Sequence, residues 1–206
     1  FMDEVCTELK KDPVQFRLEL FEKAKKIPPG NDQQARFRSD PDKYKSVVEL
    51  VAKMCNWGTT PSGVHRGLAT WFSFGSYAAQ VVEVKLVDGK PKIVKVFCAV
   101  NCGRVINLSG AENQIQGAIV DGIWHAMFPK VTFVNGAVAE TNFHSYKFLR
   151  MKDAPLDIEV KFVESDEAPT GLGEPALPPV AAALANAIYA ATGKRIRKMP
   201  FAEQLA

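Results

Sequence analysis

The sequence predicts an α+β fold, with a mixed or antiparallel sheet, hairpins and packed helices. Three observations carry that expectation. Residues 1–60 keep helical spacing; Asp88-Gly89 and Asn135-Gly136 stand as tight-turn signals between alternating runs; and two later helical stretches are interspersed among the strands rather than set apart from them. At 206 residues and 47% hydrophobic content, the chain is large enough for one sizeable core or two small ones. No internal repeat is present. Two organisational units are expected, a helical segment over 1–60 and an α+β portion over 61–206.

Taken in order, a short helix runs through Leu9, with Phe1, Val5 and Leu9 sharing a face. Asp12 caps a second helix whose first residue is Pro13, a position where the missing N–H costs nothing. A third helix runs from Pro41 to about Cys55. Between the second and third, Pro28-Pro-Gly-Asn-Asp-Gln-Gln34 is polar and without apolar periodicity, and reads as a mobile linker near 28–40. After Trp57-Gly-Thr-Thr-Pro-Ser-Gly63 the period turns from helical to alternating. Val82, Val84 and Leu86 face one side of a strand, and the Asp88-Gly89 turn leads into its partner from Ile93 to Val100. A helix over Ala111 to Met127 is announced by Ser109 as cap with Glu112 three residues on, a capping box. Its apolar stripe is Ile115, Ala118, Ile119, Gly122, Ile123 and Ala126. Asn135-Gly136 joins Val131–Val134 to Ala137–Ala139, and Ile158, Val160 and Phe162 alternate in a last strand. Pro178 and Pro179 open a final helix, and Gly193 ends it.

Composition narrows the function classes. The net charge of +3 is small, and the only local excess, Lys194, Arg195, Arg197 and Lys198, reads as a solvated helix end favoured by the dipole. No basic, aromatic-interleaved face of the kind that binds nucleic acid is present. The longest apolar stretch, Val180 to Ala191, is broken by Asn186 and falls short of the roughly 20 residues a bilayer requires. Cys6, Cys55, Cys98 and Cys102 are scattered without a Cys-x-x-Cys, and His65, His125 and His144 form no metal pair; buried free thiols and ordinary histidines are expected. The chain opens on Phe1, already inside an amphipathic pattern, and reads as a piece of a longer polypeptide whose targeting signals, and hence compartment, lie elsewhere.

The segment that points to chemistry is Thr170-Gly-Leu-Gly-Glu-Pro-Ala-Leu-Pro-Pro179, which holds one carboxylate ahead of an apolar helix. Gly171 and Gly173 permit backbone conformations closed to other residues and close approach of a ligand, while Pro175 biases Glu174 towards an extended conformation. A carboxylate aimed by its backbone suits a general base. The same acidic residue near a helix N-terminus is also favoured by the dipole with no catalysis at all. Gln114 lies on a helix face with Gly117, Ala118 and Asp121, where small residues leave room for a close partner, and its amide offers two donors and an acceptor. The stretch Phe74-Gly-Ser-Tyr-Ala-Ala-Gln80 enters a strand rich in small residues, which fits either close approach of a ligand or tight sheet packing.

These motifs recur in order in one family. Gly-Leu-Gly-Glu-Pro with Pro178-Pro179, Leu184-Ala-Asn-Ala-Ile188 and Ala191-Thr-Gly-Lys-Arg-Ile-Arg197 resembles the C-terminal end of molybdenum hydroxylase large subunits. Upstream, Phe74–Val84, Ala99–Asn107, Gln114-Ile-Gln-Gly117, Asn142–Tyr146 and Leu149-Arg-Met151 follow in the same sequence, and Asp12–Arg17 fits as well. Within the xanthine dehydrogenase superfamily the set is most similar to isoquinoline 1-oxidoreductase beta subunits and membrane-associated aldehyde dehydrogenases. Gln116, Leu108 and Lys147 depart from residues common among relatives. The resemblance implies Glu174 as general base and Gln114, Gly117, Gly173, Gly75 and Ser76 as cofactor-binding residues. It further implies molybdenum carried by molybdopterin cytosine dinucleotide, iron-sulfur clusters on a small partner subunit, and an aromatic heterocycle or aldehyde hydroxylated with oxygen from water. The chain would then be the C-terminal part of a subunit whose N-terminal part completes the pocket, and alone it would be inactive and free of molybdenum. The rival reading is a non-catalytic docking module, with Glu174 facing solvent and turned from Gln114.

Overall fold

The computed structural model describes residues 1–26, 39–155 and 157–205, so the expected linker lies almost wholly outside the described residues. Three helices come first: α1 (Met2–Glu8), α2 (Pro13–Ala24) and α3 (Pro41–Met54). Strands β1 (Val64–Ser73), β2 (Ser76–Val87) and β3 (Lys90–Asn101) follow, then α4 (Leu108–Met127), the short strands β4 (Phe133–Val134) and β5 (Ala137–Val138), β6 (Ile158–Phe162) and α5 (Pro178–Thr192). Asp12 and Asp40 cap α2 and α3 through their side chains, each with proline at the first turn, and Gly193 closes α5 in the left-handed region at φ 71°. Among the described residues no helix is long and apolar enough to cross a membrane.

The main sheet runs β1-β2-β3-β6, antiparallel through its first three strands and parallel where β6 joins β3, with Val96 opposite Ile158. It is a mixed sheet covered on both faces. Val82, Val84, Val96, Cys98 and Val100 pack with Ile115, Ile119, Leu184 and Ile188 of α4 and α5. On the other face Leu68, Tyr77, Val81, Phe97 and Ala99 meet Val14, Val47, Val48 and Val51 of α2 and α3. Double coverage explains why β2 is buried without interruption from Ser76 to Val84, where a one-sided strand would alternate. Leu86, expected on the same side as Val84, lies past a register shift at Glu83/Val84 and is exposed.

Three sequence expectations change. The helix α4 starts earlier than the capping box placed it: Asn107 is the cap, its side chain accepting the Gly110 N–H at 3.0 Å, and Ser109 sits inside the first turn donating to Asn107 Oδ1. Asn107 holds an extended backbone and its carbonyl already accepts the Ala111 N–H, which leaves no capping role for Ser109. The helical face expected over Phe1, Val5 and Leu9 is shortened, because Phe1 and Leu9 are the exposed caps of α1, Val5 is half-buried and Cys6 is the residue taken inside. Nor is the basic run after α5 merely a solvated helix end, although Lys194, Arg197 and Lys198 are exposed. Arg195 pairs with Asp3 at 2.5 Å and lies over the Tyr189 ring, and Arg197 donates to both carboxylate oxygens of Glu4 at 3.0 Å. The acidic first turn of α1 is what these arginines were for.

The β1–β2 hairpin had no recognised turn. Phe74 and Gly75 make it, at φ 53° and 79°, and an aromatic residue in the left-handed region gives no sequence signal. At the other end of β1, α5 lies so close that a Cβ on Gly67 would fall 2.1 Å from the Ala183 carbonyl oxygen and 2.2 Å from the Ala187 nitrogen. Asn186 Nδ2 adds a bond to the Leu68 carbonyl at 3.0 Å.

All four cysteines are free and buried, and burial pushes the Cys98 thiol up to about 12 and the Cys55 thiol up to about 11. Since the thiolate is the reactive form, alkylation at pH 8 is expected to leave both residues unmodified until denaturant is added, a result read by peptide mass spectrometry. Rapid native labelling of Cys98 would contradict the packing described.

Candidate functional site

Three prolines in the stretch from Glu174 to α5 remove three N–H groups, so the backbone carbonyls there have few local donors. They are met from other elements instead. Ser76 Oγ, fully buried at the start of β2, donates to the Gly171 carbonyl at 2.6 Å and lies 2.7 Å from Thr170 Oγ1. Gln114 Nε2, from the first half of α4, donates to the Gly173 carbonyl at 2.9 Å. Gln80 Nε2, fully buried in β2, donates to the Ala176 carbonyl at 2.6 Å. Backbone bonds complete the hold: Thr170 N–H to Cys102 O at 2.9 Å, Gly171 N–H to Phe74 O at 3.0 Å, and Leu177 N–H to Glu174 O at 3.0 Å. The Glu174 loop is thus gripped on both sides of its carboxylate by β2 and α4.

The two loop glycines serve differently from the reason first assigned. Neither lies at positive φ. Gly171 is required by contact, because an added Cβ would lie 2.6 Å from Phe74 Cβ, whereas a Cβ on Gly173 would meet nothing within 4 Å. Gly75 does use the left-handed region, and its Cβ would press Thr170 Cγ2 at 3.1 Å. Gly117 is exposed, with open space where a Cβ would stand.

Gln114 and Gly173 border one groove of about 430 Å³, with Cys102, Asn107, Pro169 and Leu172, and Glu174 follows Gly173 directly in the chain without being among the residues that line it. Glu174 is exposed, and among the described residues its carboxylate makes no ion pair and no side-chain cap to α5. Gly75 and Ser76 stand behind the loop and touch it directly. Gly117, one turn along α4 from Gln114, opens instead to a different cleft, walled by Trp124, Phe148 and Met151. Sequence reasoning missed Gln80 and Thr170. A glutamine among Ala78, Ala79, Val81 and Val82 looked like part of a small-residue strand, and its partner lies 96 positions away.

Residues 4–155 match the family model described as the molybdopterin cofactor-binding domain. A membrane-bound aldehyde dehydrogenase of Gluconacetobacter polyoxogenes, whose name carries pyrroloquinoline quinone, is 34% identical over 97% of this chain and 26% of its own length. The isoquinoline 1-oxidoreductase subunit beta of Brevundimonas diminuta is 29% identical over 100% of this chain and 25% of its own length. The chain therefore spans about a quarter of these curated relatives. Among solved structures, quinoline 2-oxidoreductase from Pseudomonas putida 86 superposes with a TM-score of 0.53 at 24% identity, covering 61% of this chain and 17% of that one. Aldehyde oxidoreductase from Desulfovibrio gigas gives 0.52 at 23%, covering 61% and 14%. At those identities the likeness concerns the fold. With three quarters of its length inside the family model, the chain belongs to the molybdopterin cofactor-binding domain family.

Proposed function

We propose that this chain is the part of a molybdopterin-dependent hydroxylase large subunit that carries the general base, Glu174, and acts on aldehydes or N-heterocycles. The observation that carries the proposal is the Glu174 loop itself: three carbonyls bound by imported side chains, and between them a carboxylate with no partner among the described residues.

The residues at this edge fit a molybdopterin. Gln114 spends one amide hydrogen on Gly173 and retains a second hydrogen and its Oε1 for a ligand with both donors and acceptors along its rim. Gly173 and Gly117 leave open the volume a side chain would fill. Gln114 and Gly173 would hold the cofactor, which the resemblance gives as the cytosine dinucleotide form; Gly117, which faces the neighbouring cleft, would touch it only if the cofactor extends there. Gly75 and Ser76 act from behind, by fixing the loop. When bound, the cofactor supplies the two-electron acceptor for a hydroxylation that takes its oxygen from water. Glu174 accepts the proton that the oxygen donor must lose. Electrons leave through iron-sulfur clusters of a small partner subunit, and the rest of the large subunit closes the pocket.

The docking-module reading has one observation in its favour, the exposure of Glu174. Glu174→Gln separates the two readings, since a docking module leaves turnover unchanged, and the chemistry itself is tested on the cofactor and the oxygen source. The full-length enzyme should contain molybdenum and pterin, with no pyrroloquinoline quinone, and should transfer oxygen-18 from labelled water into its product; the isolated chain should hold no molybdenum. Label arriving from dioxygen, or a quinone cofactor in place of molybdenum, would overturn the proposal.

A further inference from the structure

Gln80 is a costly residue where it stands. It is fully buried in β2 on the face covered by α4 and α5, and its Oε1 has no hydrogen-bond partner. An apolar side chain of similar length would fill the same space with no orphaned acceptor, so packing alone does not account for an amide here. What the amide does is reach the Ala176 carbonyl at 2.6 Å, with a weaker contact to Cys98 Sγ at 3.6 Å. No helical donor serves that carbonyl: the Val180 N–H turns to Leu177 O, and Pro178 and Pro179 have no N–H. Ala176 lies two residues beyond Glu174 across Pro175, so the bond sets the C-terminal anchor of the loop that carries the carboxylate.

We infer that Gln80 is a positioning residue for Glu174, anchoring the base's loop to the centre of the sheet through the Ala176 carbonyl. The inference rests on the reading of Glu174 as the base. Ser76 and Gln114 grip the loop before the carboxylate; Gln80 grips it after. With both sides fixed the main chain that carries the carboxylate is held in place about Pro175, and a proton acceptor displaced by about 1 Å loses much of its efficiency.

The test uses the full-length enzyme with its cofactor. Gln80→Met is expected to lower kcat about 10- to 100-fold while KM moves less than about threefold. Amide hydrogen exchange should quicken across residues 170–177 and stay unchanged in β1 to β3, and the melting midpoint should shift by less than about 3 °C. If Gln80→Met fails to accumulate as folded protein, Gln80→Leu repeats the test. Unaltered kcat with unaltered loop exchange overturns the proposal, as does a loss of kcat accompanied by faster exchange throughout the sheet. Should Glu174→Gln prove fully active, the reading of the base fails by itself, and the exchange measurement still decides whether Gln80 anchors the loop.

Discussion

Glu174→Gln in the full-length enzyme is expected to lower turnover by at least ~10²-fold, the lower range for removal of a general base. The substitution is nearly isosteric and exchanges a proton acceptor for an amide. Because the Glu174 side chain makes no ion pair or cap among the described residues, its replacement disturbs no bond that holds the loop. The melting midpoint, the cofactor content and KM should accordingly stay near those of the parent enzyme, and the loss should appear in kcat. Comparable losses of cofactor and activity would instead mark a structural residue, and turnover within a few-fold of the parent would remove Glu174 from the chemistry.

Gly67→Ala is expected to be strongly destabilising. The added Cβ has no room on its α5 side, and the obstacles are main-chain atoms, the Ala183 oxygen and the Ala187 nitrogen, which no rotamer change can move. Helix α5 would have to lift from β1, breaking the Asn186 bond to Leu68 and opening the core around Ala183, Leu184 and Ala187. A cost of about 3 kcal/mol or more is expected, the upper end of overpacking penalties, measured as a shift in urea unfolding midpoint. A cost below about 1 kcal/mol would mean that the helix and strand are less closely apposed than described.

The elements legible from sequence are those whose signals are local. Asp88-Gly89 and Asn135-Gly136 do turn hairpins, with all four residues at positive φ, because those residue types tolerate the left-handed region. Phe74-Gly75 makes the same kind of turn illegibly, since the hydrogen bond from the Gly171 N–H that supports it comes from far along the chain. Asn107 was passed over for Ser109 because both are good caps and only the backbone conformation separates them. The arginines after α5 find their carboxylates 192 and 193 positions away, a pairing that no window along the sequence contains. At the site, Glu174 and Gln114 were legible as motifs, whereas Gln80 acquires its meaning only when β2 is laid beneath the loop.

Strand β2 is a wall common to two compartments. One side carries Gln80 and the site; the other carries Tyr77 and Val81 against α2 and α3. If Glu174 is the base, side-chain volume under α3 bears on the same strand that anchors its loop, from the side opposite the site. Sequence variation in the rear compartment would then act as a tuning screw for reactivity, out of sight of any comparison confined to the residues lining the cleft.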